Sequence, residues 1–466
     1  MNNTLDEIFA RISGGRCEVL GLGVSNIPLC RWLRGKGATV IGRDMKPEAQ
    51  LDAAAELRAL GVTLVTGENY LEGIGGGAPE KTLIFRAPGL RHDLPQIASA
   101  VSHGALLTSE MELFLELTPA TVIGITGSDG KTTTTTITGK LLEAQFALDG
   151  SSRRVYVGGN IGRPLLPLVD EMTDRDFAVV ELSSFQLMTA RRSAHRAAIT
   201  NITPNHLNWH TGMDEYILAK QNIYLYEPCD YVVFNAENKA TACLAREAFL
   251  DVTLFSSKRK LDGGVYLEDG AIFFDGEKIL DTSRIILPGM HNIENYMTAI
   301  ALTRGIVSNE AIISVAESFT GVEHRCELVR EKDGVKFYNS SIDSSPTRTA
   351  AALSNFKVKP IVICGGYDKN IPFEPLAVSL CERAKAVVLT GDTAEKIKSA
   401  ILACPSLGES ELAVYEEPDF EGAVKKAADL AADGDCVLLS PACASFDRFK
   451  NFEERGRVFK SIVNNL

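Results

Sequence analysis

The run Ala120-Thr-Val-Ile-Gly-Ile-Thr-Gly-Ser-Asp-Gly-Lys-Thr-Thr-Thr-Thr-Thr136 constrains the fold of this chain more than any other stretch. Its apolar residues read as a buried strand, its glycines as a loop and its threonines as the start of a helix. Gly127 and Gly130 let backbone N–H groups close around phosphate oxygens, and the helix start adds a favourable dipole. Lys131 supplies a cation, and Thr132 offers a hydroxyl to Mg²⁺. The strict phosphate-loop spacing is not met: the position for its first glycine is Ile125, with glycines instead at 124 and 127. A Gly-rich turn before a Thr-rich helix is the competing reading. The strand-loop-helix context is what a phosphate loop requires, and it points to ATP or GTP chemistry.

At 466 residues the chain is too long for one ordinary core, and about 100–200 residues per domain suggests three domains. Apolar content of 45% and charged content of 23% are those of a soluble globular protein. A net charge of −12 argues against a general polyanion binder, so phosphate must be met by local sites and nucleic acid is not an expected partner. The start Met1-Asn-Asn-Thr-Leu-Asp-Glu7 lacks a basic region and an apolar core. No apolar run approaches the roughly 20 residues of a membrane span, so a cytoplasmic protein is expected. Ten cysteines without a CxxC pair, many inside strand-like runs, fit reduced, buried thiols rather than zinc or disulfides.

In chain order, Cys17-Glu-Val-Leu-Gly-Leu-Gly-Val-Ser-Asn26 reads as a strand ending in a glycine turn, followed by a helix and the strand Ala38–Asp44. This opens a dinucleotide-type fold with Asp44 placed to meet a ribose or base, although Asn26 stands where the third fingerprint glycine belongs. Thr82–Gly89 is a further strand ending in a Pro-Gly turn. Pro119, after Thr118, discourages further helix. Beyond the phosphate loop, Val157-Gly-Gly-Asn-Ile-Gly162 presents the amide of Asn160, and Glu181 ends an apolar strand where a carboxylate can hold Mg²⁺. Ile199–His210 reads as a strand running into polar residues. His206 and His210 are spaced as on a zinc-binding helix, but the glutamate of HExxH is missing, so a single histidine beside Mg²⁺ or phosphate is favoured. Lys220 lies among apolar neighbours on a helical stretch, and composition alone makes it a snorkelling lysine. Gly263–Leu280 alternates as antiparallel hairpin with Asp-Gly turns. Asn292 sits at a helix start, as a base or phosphate contact or as a helix cap. In the last segment, strands around residues 335, 361, 386 and 436 end in small or charged residues, and Lys369 and Ser445 are positioned to face a common ligand.

With these residues assembled, the chain resembles the Mur ligase family over nearly its full length. Thr126-Gly-Ser-Asp-Gly-Lys-Thr132 is similar to the family's variant phosphate loop. Glu181-Leu-Ser-Ser-Phe-Gln-Leu187, and Ser440-Pro-Ala-Cys-Ala-Ser-Phe-Asp447 with Phe449-Lys-Asn-Phe-Glu-Glu-Arg-Gly456, resemble its D-glutamate-adding branch. The resemblance implies an α/β chain of three domains. A Rossmann-like domain (1–118) would hold the UDP-sugar. A central phosphate-loop ATPase domain (119–322) would carry a parallel sheet and a small antiparallel sheet. A Rossmann-like α/β domain (323–466) would bring the amino acid.

The implied reaction is ATP-dependent amide formation through an acyl phosphate. It would join D-glutamate to UDP-N-acetylmuramoyl-L-alanine for peptidoglycan, in a monomer with no membrane span. Implied ATP contacts are Gly127, Ser128, Asp129, Gly130, Lys131, Thr132, Thr133, Asn292 and Arg325. Two Mg²⁺ sites are implied, with Thr132 and Glu181 on one and His206 on the other. Lys220 matches a lysine carbamylated by CO₂, which would give that position an anionic ligand for Mg²⁺. Asn160 matches an amide near the acceptor substrate. Val24, Ser25, Asp44 and Gly89 match UDP contacts, and Ser344, Lys369, Ser445 and Phe452 match D-glutamate contacts. Two motifs depart from the family: Asn205-His206-Leu207-Asn208 for its Asp-His-Leu-Asp, and Asn339-Ser340-Ser341 for its Asn-Asp-Ser. Alternatives are another Mur-type step, folylpolyglutamate synthase, or, from a different class, a phosphate-loop regulatory switch.

Overall fold

Continuous apolar runs bounded by glycine turns build three sheets in this computed structural model, which describes residues 2–369 and 371–466. The described residues group into two compact units, 1–282 with 293–315, and 283–292 with 316–466. The first unit holds two sheets and the second holds one.

The first sheet contains β1 (Arg16–Leu20), β2 (Thr39–Asp44), β3 (Thr63–Thr66), β4 (Thr82–Arg86) and β5 (Leu106–Thr108), in the order β3-β2-β1-β4-β5. Every pairing is parallel, so strand order reverses beside β1 and opens a crevice at the carboxyl ends of β1 and β4. Asn26 explains the broken fingerprint. Its Nδ2 donates to the carbonyls of Leu20 (3.1 Å) and Gly21 (2.9 Å), tying the helix start to the strand end that a third glycine would merely approach. Gly21 remains obligatory, with φ of 82° and a would-be Cβ only 2.9 Å from that of Ala87. Glu18, fully buried in β1, pairs with Arg43 of β2 and with Arg16 (2.7 Å) and accepts from Gly75 N (2.9 Å). Arg43 extends to the carbonyls of Tyr70 and Glu72, pinning the loop after β3.

The second sheet contains β6 (Thr121–Thr126), β7 (Val155–Gly159), β8 (Phe177–Glu181), β9 (Arg196–Ile199), β10 (Tyr231–Asn235), β11 (Asp251–Ser256), β12 (Val265–Glu268), β13 (Ala271–Phe274) and β14 (Glu277–Asp281). Its order is β14-β13-β12-β11-β10-β9-β6-β8-β7. The antiparallel hairpins foreseen at Gly263–Leu280 turn at Asp269-Gly270 and Asp275-Gly276, all four residues with positive φ, as type I′ turns require. They continue the parallel sheet through the β11–β12 pairing. The strand expected from Ile199 onward ends there instead. Thr200 to His210 form loop, since Pro204 has no N–H for a ladder, and His206 turns back at φ of 55°. His206 and His210 are therefore not on one helix face.

The third sheet contains β15 (Glu327–Lys332), β16 (Val335–Asn339), β17 (Ile361–Cys364), β18 (Ala386–Leu389), β19 (Ala413–Glu416) and β20 (Cys436–Leu439). The order is β15-β16-β20-β17-β18-β19, parallel except for the β15–β16 hairpin at its edge. All ten cysteines are free thiols and only Cys243 is exposed. Among the described residues no helix is long and apolar enough to cross a membrane.

Between the first two sheets, Ser109 caps the helix Glu110–Leu117, its hydroxyl accepting from Glu112 N at 3.2 Å. Glu110 is buried and accepts from Leu166 N (2.9 Å), and burial pushes its carboxyl up to about 7. The folded chain thus keeps a proton that the unfolded chain has already released, and stability falls as pH rises from the unfolded carboxyl value toward about 7. Glu110→Gln keeps an acceptor for Leu166 and has no charge to bury. Its stability relative to wild type, measured by urea unfolding, should improve by roughly 1.4 kcal/mol per pH unit between about pH 5 and 7 and level off above.

Candidate active site

Three neighbouring strand ends, those of β6, β8 and β9, build the centre of the first unit. β6 passes into the loop Gly127–Gly130 and the helix Lys131–Leu148. Gly127 (φ 152°) and Gly130 (φ 80°) adopt conformations that side chains disfavour. A Cβ at Gly127 would collide with the hydroxyl of Thr200, and one at Gly130 would lie 2.6 Å from Asn295 Oδ1. The loop is clamped from the β9 side. Thr200 Oγ1 donates to Asp129 O (2.6 Å), Asp129 N donates to Asn201 Oδ1 (2.9 Å), and Ser128 Oγ donates to Thr203 O (3.0 Å). Lys131 Nζ folds back onto the carbonyls of Gly127 and Ser128, both at 2.9 Å. Thr132 and Thr133 are half-buried in the first turn of that helix, and Asp129 is exposed.

Glu181 ends β8 and is buried. Its Oε1 accepts from Asn160 Nδ2 at 2.8 Å, while Oε2 is buried with no protein partner. An unpartnered buried carboxylate oxygen is costly unless a cation or donor meets it, so this atom fits a metal ion. Lys220, on the helix Met213–Gln221, is 1% exposed. Its Nζ donates to Gly127 O (2.8 Å) and Thr126 Oγ1 (3.2 Å) and lies 4.6 Å above the ring of Tyr216. Burial first, and then the Lys131 charge, hold its amine well below the usual lysine range. The composition-based expectation of a snorkelling lysine fails here: the ammonium end is inside. His206 packs against Phe185 (4.9 Å between centroids), and burial together with the Lys131 and Lys220 charges lowers its pKa. Gly127, Ser128, Lys131, Asn160, Glu181, His206 and Lys220 thus share one region. Among the described residues no three His, Cys, Asp or Glu side chains form a ready metal cluster, so a metal here would also need hydroxyl or modified-lysine oxygens.

The residues expected to hold UDP lie at the crevice of the first sheet. Asp44, at the end of β2, accepts from Leu22 N (2.7 Å) and Lys46 N (2.8 Å), which shapes the loop carrying Val24 and Ser25. Val24 is 79% exposed and Gly89 is exposed after β4. Gly89 O accepts from Trp209 Nε1 at 2.9 Å, joining this crevice to the loop of His206.

In the second unit, Asn292 donates to Pro288 O (2.7 Å) at the start of the helix Met290–Leu302. Arg325 stands exposed between His324 (φ 64°) and Cys326 (φ 48°). Lys369 Nζ reaches Ser344 O at 3.4 Å, which brings two of the residues expected at D-glutamate together. Ser445 is buried with its hydroxyl unpartnered. Phe452 O accepts from Ser341 Oγ (2.8 Å), and its ring meets His324 edge-on.

Residues 125–303 match the model of the Mur ligase middle domain, and residues 324–443 that of the Mur ligase glutamate ligase domain. Over 468 residues the chain is 45% identical to UDP-N-acetylmuramoylalanine--D-glutamate ligase of Clostridium novyi (strain NT), with 100% of both covered. It is 46% identical to the protein of the same name from Ruminiclostridium cellulolyticum, again with 100% of both covered. The chain belongs to the Mur ligase family. Solved structures of other Mur ligases share the fold. UDP-N-acetylmuramate-alanine ligase of Thermotoga maritima matches with a TM-score of 0.58 at 20% identity, over 97% of this chain and 99% of that one. MurF of Acinetobacter baumannii matches with 0.54 at 16% identity, over 97% and 91%.

In each unit, residues that shape the loops described above carry no local sequence signal. Tyr216 OH meets Ser128 Oγ at 3.0 Å and supports the phosphate loop from below. Arg455, 2% exposed, donates to Ser341 O (2.8 Å), Ser341 Oγ (3.0 Å), Cys443 O (3.1 Å) and Ala444 O (3.2 Å), binding together the loops after β16 and β20. Only its place inside the Phe449–Gly456 block hinted at importance. Gly127→Ala should weaken ADP binding by at least about tenfold, because the methyl group displaces Thr200 and opens the clamp. Calorimetric titration of ADP would measure it, with an unchanged far-ultraviolet spectrum confirming the fold.

Proposed function

We propose that this chain joins D-glutamate to UDP-N-acetylmuramoyl-L-alanine with consumption of ATP, forming an amide in peptidoglycan precursor synthesis. The observation that carries this reading is the full-length identity of 45–46% to D-glutamate ligases. The sheet ends supply groups suited to each part of the reaction. The L-alanine carboxylate oxygen attacks the γ-phosphorus, ADP leaves, and a poor electrophile becomes an acyl phosphate. The amine of D-glutamate attacks the acyl carbon, phosphate leaves with the electron pair of the broken C–O bond, and the amine loses a proton. The Gly127–Gly130 amides and Lys131 offset charge on the phosphates in transfer, with Thr133, Asn292 and Arg325 as further nucleotide contacts. Asn160, held to Glu181, faces the acceptor. Val24, Ser25, Asp44 and Gly89 hold UDP, while Ser344, Lys369, Ser445 and Phe452 hold D-glutamate, the cation of Lys369 pairing with a carboxylate.

The residues present fit Mg²⁺: Glu181 through its unpartnered oxygen, Thr132 through its hydroxyl, His206 through a neutral imidazole, and Lys220 if carbamylated. Mg²⁺ supplies charge neutralisation on phosphate oxygens when bound. Carbamylation needs an uncharged amine, and burial favours one at Lys220. CO₂ adds to the lone pair of the neutral amine and one proton is released, so an uncharged nitrogen becomes an anionic carbamate. The division of labour follows 1–118 for the sugar nucleotide, 119–322 for ATP and 323–466 for the amino acid, in a cytoplasmic monomer.

Phosphate release from UDP-N-acetylmuramoyl-L-alanine, ATP and each candidate amino acid tests the substrate. D-glutamate should support release. Release with L-lysine or diaminopimelate and none with D-glutamate would overturn the reading. For Lys220, CO₂-depleted buffer should lower turnover and bicarbonate restore it, and Lys220→Ala should lose about 10–100-fold and ignore bicarbonate. A carbamate signal from ¹³CO₂ in wild type, absent in Lys220→Ala, reads the modification without turnover.

A further inference from the structure

A chain of polar contacts runs through the first unit from the substrate crevice to the phosphate loop, and four of its members, Arg91, Glu215, His210 and Ser184, have none of the roles above. Arg91 follows Gly89 by two residues on the loop after β4. Its guanidinium donates to Trp209 O (2.8 Å), to both carboxylate oxygens of Glu215 (3.1 and 3.2 Å) and to Asp93 (2.7 and 2.8 Å). It also lies 5.0 Å from the Trp209 ring, the same indole that donates to Gly89 O. Glu215 Oε2 accepts from Thr211 N (2.8 Å) and meets His210 Nδ1 (3.2 Å), and His210 Nε2 meets Ser184 Oγ (2.9 Å). The carboxylate fixes the tautomer, so Nδ1–H donates to Glu215 and Nε2 accepts from Ser184.

Glu215 sits in the first turn of the helix Met213–Gln221. The next residue, Tyr216, meets Ser128 Oγ, and Lys220 further along holds Gly127 O. One short helix therefore carries the anchor of the substrate loop at its start and two props of the phosphate loop along its length. An α-helix transmits a displacement of its first turn along its axis, because its backbone bonds leave little internal freedom. The side chains of Arg91 and Glu215 are each 21% exposed, so solvent and salt screen the pair less than a surface pair.

We propose that the Arg91–Glu215 pair makes occupancy of the sugar-nucleotide crevice and of the phosphate loop energetically coupled, with Arg91 and Glu215 acting as positioning residues through the helix Met213–Gln221. The proposal rests on the first sheet being the sugar-nucleotide domain. Reciprocity requires that each ligand change the affinity of the other by the same factor. A contact that merely mortars two sheets would alter melting temperature without touching that factor.

The test is calorimetric titration of ADP into the full chain, with and without saturating UDP-N-acetylmuramoyl-L-alanine, for wild type, Arg91→Met, Arg91→Lys and Glu215→Gln. In wild type the sugar nucleotide should tighten ADP by about 5–150-fold, and in Arg91→Met and Glu215→Gln that factor should fall to about one, with ADP affinity in its absence changed less than about twofold. Arg91→Lys, which keeps the charge, should retain part of the coupling. An unchanged coupling factor in both Arg91→Met and Glu215→Gln would overturn the proposal, as would a wild type that binds both ligands independently. Wild type that fails to bind the sugar nucleotide at all would instead remove the reading on which the proposal rests. Should Arg91→Met not fold, Glu215→Gln, which is nearly isosteric, decides alone.

Discussion

The site in the first unit depends on Thr200 occupying the space beside Gly127. A glycine with φ of 152° lets the loop turn away from β6, and the hydroxyl of Thr200 fills the volume that a side chain would need. That same hydroxyl donates to Asp129 O, so the residue that forbids a larger side chain also holds the loop in shape. Neighbouring Asn201 and Thr203 add bonds to Asp129 N and Ser128 Oγ. The phosphate cradle is consequently a product of two strand ends, and a loop of the same composition without β9 beside it would have no reason to stay open. This also accounts for the imperfect glycine spacing. Gly124 lies within β6, where a Cβ would meet Ala194 at 2.8 Å, so its role is packing.

The second unit solves a comparable problem with buried polar side chains in place of a glycine loop. Arg455 donates to three carbonyls and one hydroxyl at the carboxyl ends of adjacent strands, and burial lowers its pKa to about 10 without removing its charge at neutral pH. Gly456 beside it leaves room for the His324 ring, with which a Cβ would collide. His324 meets Asn339 (3.0 Å), and Asn339 also donates to Glu327 (3.2 Å). The run Phe449–Gly456 therefore shapes a loop cluster in which Ser341, Asn339 and His324 lie more than a hundred residues away in sequence. Ser340, at the family's acidic position, is buried here and bonds to backbone through Cys326 N (3.2 Å), while Asp343 accepts from Ser440 (2.8 Å).

Much of this was legible because strands and turns announce themselves locally. The parallel strands appear as apolar runs, and the Asp-Gly turns name their own geometry, since both residues need positive φ. Lys131, Glu181 and Asp44 were also readable, as charged or polar residues where apolar runs stop. What could not be read was burial and pairing across distance. From sequence Lys220 reads as a lysine snorkelling from an amphipathic helix, and only the fold reveals the amine packed on Tyr216 and the Gly127 carbonyl. Arg91 and Glu215 meet across more than a hundred residues, and neither stands in a motif. The strand expected beyond Ile199 failed for a local reason, Pro204, together with side chains that bond to the phosphate loop instead of to a neighbouring strand.

Electrostatics explains why an acidic chain can still gather anionic reactants. With a net charge of −12 the overall field opposes them, so attraction has to be short-range, in places where protein has displaced water. Lys131 and Lys220 both reach Gly127 O, and two ammonium groups so close would repel. Burial resolves the conflict by favouring the neutral form of Lys220 and leaving the charge to Lys131, which is half-buried beside the loop. Two lysines of one sequence thus acquire different chemistry from position alone: one stays half-buried beside the loop as a cation, and the other is buried where the neutral amine is favoured. The unpartnered oxygen of Glu181 puts a carboxylate into the same region, so groups of both signs are buried close together there.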